Sequence, residues 1–194
     1  MDPRVDDRPR PSALSEAERQ LLSRCQNGDR QAFQSLLRPH LQGLLALAQR
    51  HCRDPHWAED LVQETLVRAF RGIATFRGDA AFRTWVYRIL VRLAAEPRRW
   101  QRGADTERLD LDVPDHLDAP AVHDAIAREL QDRLDEAMER LTARQRTALH
   151  LRAVEGMDYA VIAEVLACTP VAARMHVLEA RRKVMARLKE HLDP

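Results

Sequence analysis

The sequence predicts an all-α protein: two small helical domains, a helical bundle and a C-terminal helix-turn-helix, joined by an acidic flexible linker. Three observations carry this reading. Ala, Leu and Arg dominate while Gly is scarce at six and aromatic residues make up 5% of the chain. That composition suits helices, because Ala and straight-chain residues lose least on entering one, whereas strands favour β-branched and aromatic residues. Apolar residues recur at three- and four-residue steps, and no stretch alternates as a half-buried strand would.

Residues 1–15 carry three prolines and alternating charge with almost nothing to bury, so a disordered tail is expected. Order begins at Ser15, which with Glu18 has capping-box spacing ahead of Leu21, Leu22 and Cys25. Asn27-Gly28-Asp29 ends that helix. A second pattern runs from Arg30 to Cys52 through Phe33, Leu36, Leu37, Leu41, Leu44 and Leu45, with a kink or boundary expected at Pro39, which removes an amide bond. Asp54-Pro55 reads as a cap followed by proline at the first helical position, opening a third helix whose apolar stripe is Trp57, Leu61, Val62, Leu66 and Phe70. After Gly72 and the loop 75–79, a fourth helix extends from about Ala81 to the neighbourhood of Pro97.

Helical periodicity stops between Gln101 and Val122, where acids and two prolines take over, which marks a linker over 101–123. A first domain at 16–100 and a second at 124–190 follow, a size that 194 residues accommodate. The second opens on an amphipathic stretch from Asp124 through Ile126, Leu130 and Leu134 to Met138. A tighter rhythm comes next: Ala143 to Glu155, Asp158 to Ala167, the turn Cys168-Thr169, and Pro170 to Glu190. Thr142 with Gln145, Asp158, and Thr169-Pro170 supply the three starts. Three short helices with so brief a final turn are the layout of a helix-turn-helix, whose last helix presents its N-terminal residues to base edges.

Charge placement says more than the formal net charge of +1, which excludes a uniform basic coat. From Arg68 to Arg102 there are nine Arg against two acids; from Ala104 to Asp118, six acids and one Arg. The basic stretch is interleaved with Phe70, Phe76, Phe82, Trp85 and Tyr87, a composition suited to single-stranded DNA, which is held by basic grooves and by aromatic pockets for unstacked bases. The competing reading, weighed most heavily for Phe82 and Trp85, is that these rings are the core of a small bundle.

Three dispersed cysteines, Cys25, Cys52 and Cys168, form no disulfide framework. Cys168 is expected to be a small buried apolar residue. His51, Cys52 and His56 lie close together without a second ligand pair at defined spacing, so no metal and no cofactor is expected. No phosphate-binding loop, nucleophile elbow or zinc-protease motif occurs, and an enzyme is not expected. Without an apolar leader or an uncharged apolar run of about 18 residues, the chain reads as cytoplasmic, with no membrane insertion.

At these residues a family resemblance appears. Ala58-Glu-Asp-Leu-Val-Gln-Glu-Thr-Leu-Val-Arg-Ala-Phe70 resembles the polymerase-binding helix of the extracytoplasmic-function sigma factors of RNA polymerase. The segment Phe76-Arg-Gly-Asp-Ala-Ala-Phe-Arg-Thr-Trp-Val-Tyr-Arg-Ile89 resembles the promoter-melting segment that follows it. Leu141 to Arg146, Glu155 to Leu166 and Glu179 to Arg182 are similar to the helix-turn-helix of the same family, so the resemblance covers about Glu16 to Leu188.

It implies a non-enzymatic initiation factor whose partners are bacterial core RNA polymerase, through the beta-prime clamp and beta flap, promoter DNA, and an inhibitory anti-sigma factor. Core polymerase would meet Asp60, Gln63, Glu64 and Arg68. The minus-ten element would meet Phe76, Arg77, Phe82, Arg83, Trp85, Arg88 and Arg92. The minus-thirty-five element would meet Thr169, Pro170, Ala172, Ala173, Arg174, His176, Arg181, Arg182 and Lys183. Two other readings compete: a conventional helix-turn-helix regulator acting without polymerase, and a helical scaffold or enzyme whose basic faces are incidental. Departures such as Val171 to His176, where the family commonly has Gly-Thr-Val-Lys-Ser-Arg, fall at DNA-facing positions and concern which promoter is read.

Overall fold

The computed structural model describes residues 14–52, 54–96 and 133–189, and every described regular element is helical. The expected tail over most of 1–15, the linker at 101–123 and the opening of the long amphipathic stretch at Asp124 lie outside the described residues. Helix α1 (Glu16–Gln26) begins with the anticipated capping box: the Ser15 hydroxyl accepts from the Glu18 amide at 3.2 Å and the Glu18 carboxylate from the Ser15 amide at 2.8 Å. Asp29 caps α2 (Arg30–Leu37).

Pro39 acts as a boundary. It sits in a short 3-10 turn, Arg38–His40, and the chain resumes as α3 (Leu41–His51), because a proline cannot donate the amide a continuous helix needs there. Asp54 caps α4 (Pro55–Gly72), whose first position is Pro55 as expected. After the 3-10 turn Ile73–Thr75 and an extended Phe76, α5 runs over Phe82–Ala94.

A helical segment at 133–139, α6, leads to α7 (Ala143–Ala153), α8 (Tyr159–Leu166) and α9 (Pro170–Lys189). Thr142 and Gln145 form the expected box on α7, and Thr169 caps α9 by accepting from the Ala172 amide at 3.1 Å. Two details differ from the sequence reading. Asp158 precedes α8 without capping it through its side chain; the carboxylate is drawn off by Arg152 at 3.3 Å. And α7 stops at Ala153, two residues early, because Gly156 takes a φ of +67° and turns the chain, freeing Glu155 from the helix. Axes α8 and α9 are bent 97° from one another, within the range of a helix-turn-helix. Ala167, at φ 50°, and the Cys168 amide bonded to the Ala163 carbonyl at 3.0 Å close the end of α8.

The two helical units do not keep separate cores. One continuous core runs from Phe33, Leu44, Leu61, Leu66 and Leu90 into Leu151, Ile162 and Val177, with α5 packed on α8 and α3 on α7. A smaller cluster, Ala137, Met138, Leu141, Ala180 and Val184, ties α6 to α9. Cys168 is half-buried against the main core rather than fully buried. Burial pushes the Cys25 and Cys52 thiols up to about 11, which makes them inert packing groups. No single helix among the described residues is long and apolar enough to cross a membrane.

Candidate nucleic-acid interface

On α4, Asp60 is exposed, Glu64 is half-buried, and the Arg68 guanidinium donates to Glu64 at 2.6 Å, so three of the four expected residues form an i, i+4 ladder. Gln63 departs from it: its side-chain oxygen is buried and has no hydrogen-bond partner among the described residues. Trp57, expected in the apolar stripe, is instead 46% exposed. It stands one turn before Asp60 and heads the same ladder, a placement the apolar count could not reveal because periodicity does not say which edge of a stripe meets a neighbour.

The basic, aromatic stretch divides into two populations. Phe76 and Phe82 are buried, and with Trp85 they form a cluster of edge-on and tilted rings with centroids 4.9 to 6.1 Å apart. Gln26 pins this cluster by donating to the Phe76 carbonyl at 2.9 Å. For Phe76 and Phe82 the core reading therefore prevails over direct capture of a base, and only the half-buried Trp85 keeps an exposed edge. Arg77 and Arg92 are exposed. Arg83 and Arg88 are half-buried and turned towards the C-terminal helices, where Arg88 stands 3.8 Å from the Glu164 carboxylate.

Around Arg83 the structure assembles a group that the sequence reading did not single out. Its guanidinium donates to the Glu155 carbonyl at 2.9 Å and pairs with the Glu155 carboxylate, whose side chain is 12% exposed. The buried Tyr87 ring lies beneath the Arg83 cation at 5.8 Å. His150 Nε2 stands 3.7 Å from the same carboxylate, beyond ordinary hydrogen-bond reach, so Arg83 is the partner in direct contact. Together His150, the Arg83 guanidinium and the Tyr87 hydroxyl hold the Glu155 carboxyl at about 2 in spite of its burial, and burial in turn pushes the Tyr87 phenol up. The sequence signal for this group was Gly43, isolated inside an apolar helical pattern.

Further contacts join α3 to α6 and α7. Arg146 donates to the Arg50 carbonyl at 3.0 Å, Arg50 pairs with Asp135 at 2.6 Å, and His51 Nε2 lies 3.0 Å from the Thr147 hydroxyl. Burial first, then Arg146 and His150, lower His51 to about 4. Two of those causes come from α7, so separating α3 from α7 returns His51 towards about 6.5. An arrangement with α3 and α7 apart would bind the proton that the closed one refuses, so closure loses free energy as pH falls from about 6.5 towards 4, by at most about 2 kcal/mol at pH 5. Glu155, ionised when paired with Arg83, adds a second loss only below its ordinary value of 4.5. The expected result is a larger radius of gyration by small-angle scattering at about pH 5 than at pH 7.5; an unchanged radius would refute it.

On α9, Arg174, Arg181 and Arg182 are exposed, and their side chains have no partner among the described residues. Thr169 and Pro170 are exposed at its start, with Ala172 and His176 half-buried behind them. Two expected DNA contacts are displaced. Ala173 is fully buried with Val177 and Ala180 on the face packed into the core. Lys183 donates to Gln145 at 3.0 Å, and Gln145 in turn donates to Glu179 at 2.7 Å, so this ammonium is tied to α7.

A bent helix pair with free arginines on its final helix, a basic aromatic helix and a separate polar ladder define an all-helical DNA-binding protein of the helix-turn-helix class. Sigma-70 region 2 matches residues 36–103, and Sigma-70, region 4 matches residues 131–184. RNA polymerase sigma-H factor of Pseudomonas aeruginosa is 33% identical, over 87% of this chain and 92% of that one. ECF RNA polymerase sigma-E factor of Haemophilus influenzae is 32% identical, over 84% and 91%. The chain belongs to the extracytoplasmic-function sigma factors, the transcription initiation factors of bacterial RNA polymerase. Among solved structures, the sigma factor RpoE of Bartonella quintana in complex with the anti-sigma factor NepR superposes with a TM-score of 0.62 at 28% identity, over 81% of this chain and 96% of that one. CnrH in complex with the cytosolic domain of CnrY shares the fold, with a TM-score of 0.68 at 24% identity, over 90% of this chain and 99% of that one.

Proposed function

We propose that this chain binds bacterial core RNA polymerase in the cytoplasm and directs it to promoters, without enzymatic chemistry or a cofactor of its own. The observation that carries this reading is the presence in one chain of the α4 ladder, the basic aromatic α5 and the helix-turn-helix α7–α9. Trp57, Asp60, Glu64 and Arg68 meet the polymerase clamp. Arg77, Trp85 and Arg92, joined by Arg83 and Arg88 once released, follow the displaced strand of the minus-ten element, while α9 reads the minus-thirty-five element. The B. quintana complex supports control by an anti-sigma factor. A conventional helix-turn-helix regulator would have no use for the α4 ladder.

The test mixes the purified protein with core polymerase and measures complex formation and promoter-dependent transcripts. Asp60→Lys with Glu64→Lys is expected to weaken core binding by about tenfold or more, since charge complementarity at an interface governs encounter and pairing. Helicity should be unchanged, because neither side chain belongs to the core cluster. Wild-type affinity in a folded double mutant would overturn the assignment of α4.

A further inference from the structure

Glu155 and Arg83 lie 72 positions apart in the chain and meet where α3, α5 and the α7–α8 turn converge. The guanidinium donates to one carbonyl and one carboxylate oxygen there, the oxygen-rich environment a strand phosphate offers an arginine. Arg88 has Glu164 beside it on the same interface. Gly43 makes the approach possible: it lies within α3, where glycine weakens a helix, and a methyl group at that position would overlap both the Tyr87 hydroxyl and the Glu155 carboxylate. A residue costly to its own helix is thus accounted for by the contact across it.

We infer that Glu155 is an intramolecular latch that occupies Arg83 in place of DNA and holds the α7–α8 turn against α3 and α5, so that the promoter-melting face is shut until the latch is released. The inference rests on the reading that Arg83 contacts the promoter strand. It also sets an order of events. The ladder Trp57, Asp60, Glu64 and Arg68 on α4 contains no member of the latch, so polymerase can dock on the closed form while single-stranded DNA cannot engage Arg83 until Glu155 lets go. A partner or duplex that draws α7–α9 away supplies the release, because it binds only the open arrangement.

Two variants open the latch by different routes. Glu155→Gln removes the charge that holds Arg83. Gly43→Ala leaves every latch residue in place, strengthens α3 as a helix and inserts the obstructing methyl. The full-length proteins are compared by circular dichroism, by small-angle scattering, and by fluorescence anisotropy with a labelled single-stranded DNA of random sequence, about 20 nucleotides long so as to exceed one binding site, at fixed salt. Both variants are expected to remain helical, to show a larger radius of gyration, and to bind the probe about threefold or more tightly, as expected when the competent fraction rises. Adding Arg83→Ala should erase the gain in probe binding while leaving the expanded radius.

An unchanged radius in both variants overturns the latch. Expansion without tighter binding, or a gain that survives Arg83→Ala, overturns the claim that Glu155 withholds Arg83 from DNA, and with it the role given to Arg83. Loss of the proposed function as a whole would be visible separately, as failure of the wild-type protein to bind core polymerase.

Discussion

Truncating Phe82 to Ala is expected to destabilise the folded chain by about 3–5 kcal/mol, the cost of emptying a filled aromatic site. Its ring is 1% exposed and sits 5.8 Å from Trp85 and 6.1 Å from both Phe76 and His40, centroid to centroid. Nothing small can refill that space. Arg77 offers the contrast, because it is exposed in the loop between the Ile73–Thr75 turn and the start of α5 at Phe82. Arg77→Ala should alter stability by no more than about 0.5 kcal/mol.

Both substitutions should reduce transcription from duplex promoters, so the discriminating measurements are denaturant unfolding and a premelted template. Bubble DNA should restore transcription with Arg77→Ala, whose expected defect is in promoter melting, whereas Phe82→Ala should fail on both templates once the bundle unfolds. Wild-type stability of Phe82→Ala would show that the ring belongs to the DNA-binding surface after all.

The second large effect concerns promoter choice. Arg174 lies in the first two turns of α9, exposed and with no side-chain partner among the described residues, which is where a helix-turn-helix presents side chains to base edges. Arg174→Ala is expected to relax discrimination at one or two positions of the minus-thirty-five element, at a cost of about 1–3 kcal/mol for the preferred base. Arg182, two turns further along, is expected to meet phosphate instead. Its replacement by Ala should weaken all sequences alike and reduce the salt slope by about 1. A promoter library scored against both variants separates the roles, and an unchanged sequence preference with Arg174→Ala would mean that α9 docks in another orientation.

Much of this protein was legible along the chain because the controlling interactions are local. The caps at Ser15, Asp54, Thr142 and Thr169 and the break at Pro39 depend on residues within four positions of one another, and each formed where the sequence placed it. The caps satisfy amides that a helix start always leaves open, so their residue types announce them. Asp158 failed as a side-chain cap because Arg152, six residues away, competes for its carboxylate.

The sequence by itself determined the all-helical class, the helix-turn-helix and the family, since periodicity, capping and two ordered motifs are one-dimensional signals. Only the tertiary structure decided which residues of those motifs face outward. Trp57 is exposed, Gln63 and Ala173 are turned inward, Lys183 is held by Gln145, and Arg83 is paired with Glu155, 72 positions away. Burial and long-range pairing depend on which neighbour covers a helix face, and a helix's own period is the same whether its partner comes from the next turn or from the far end of the chain.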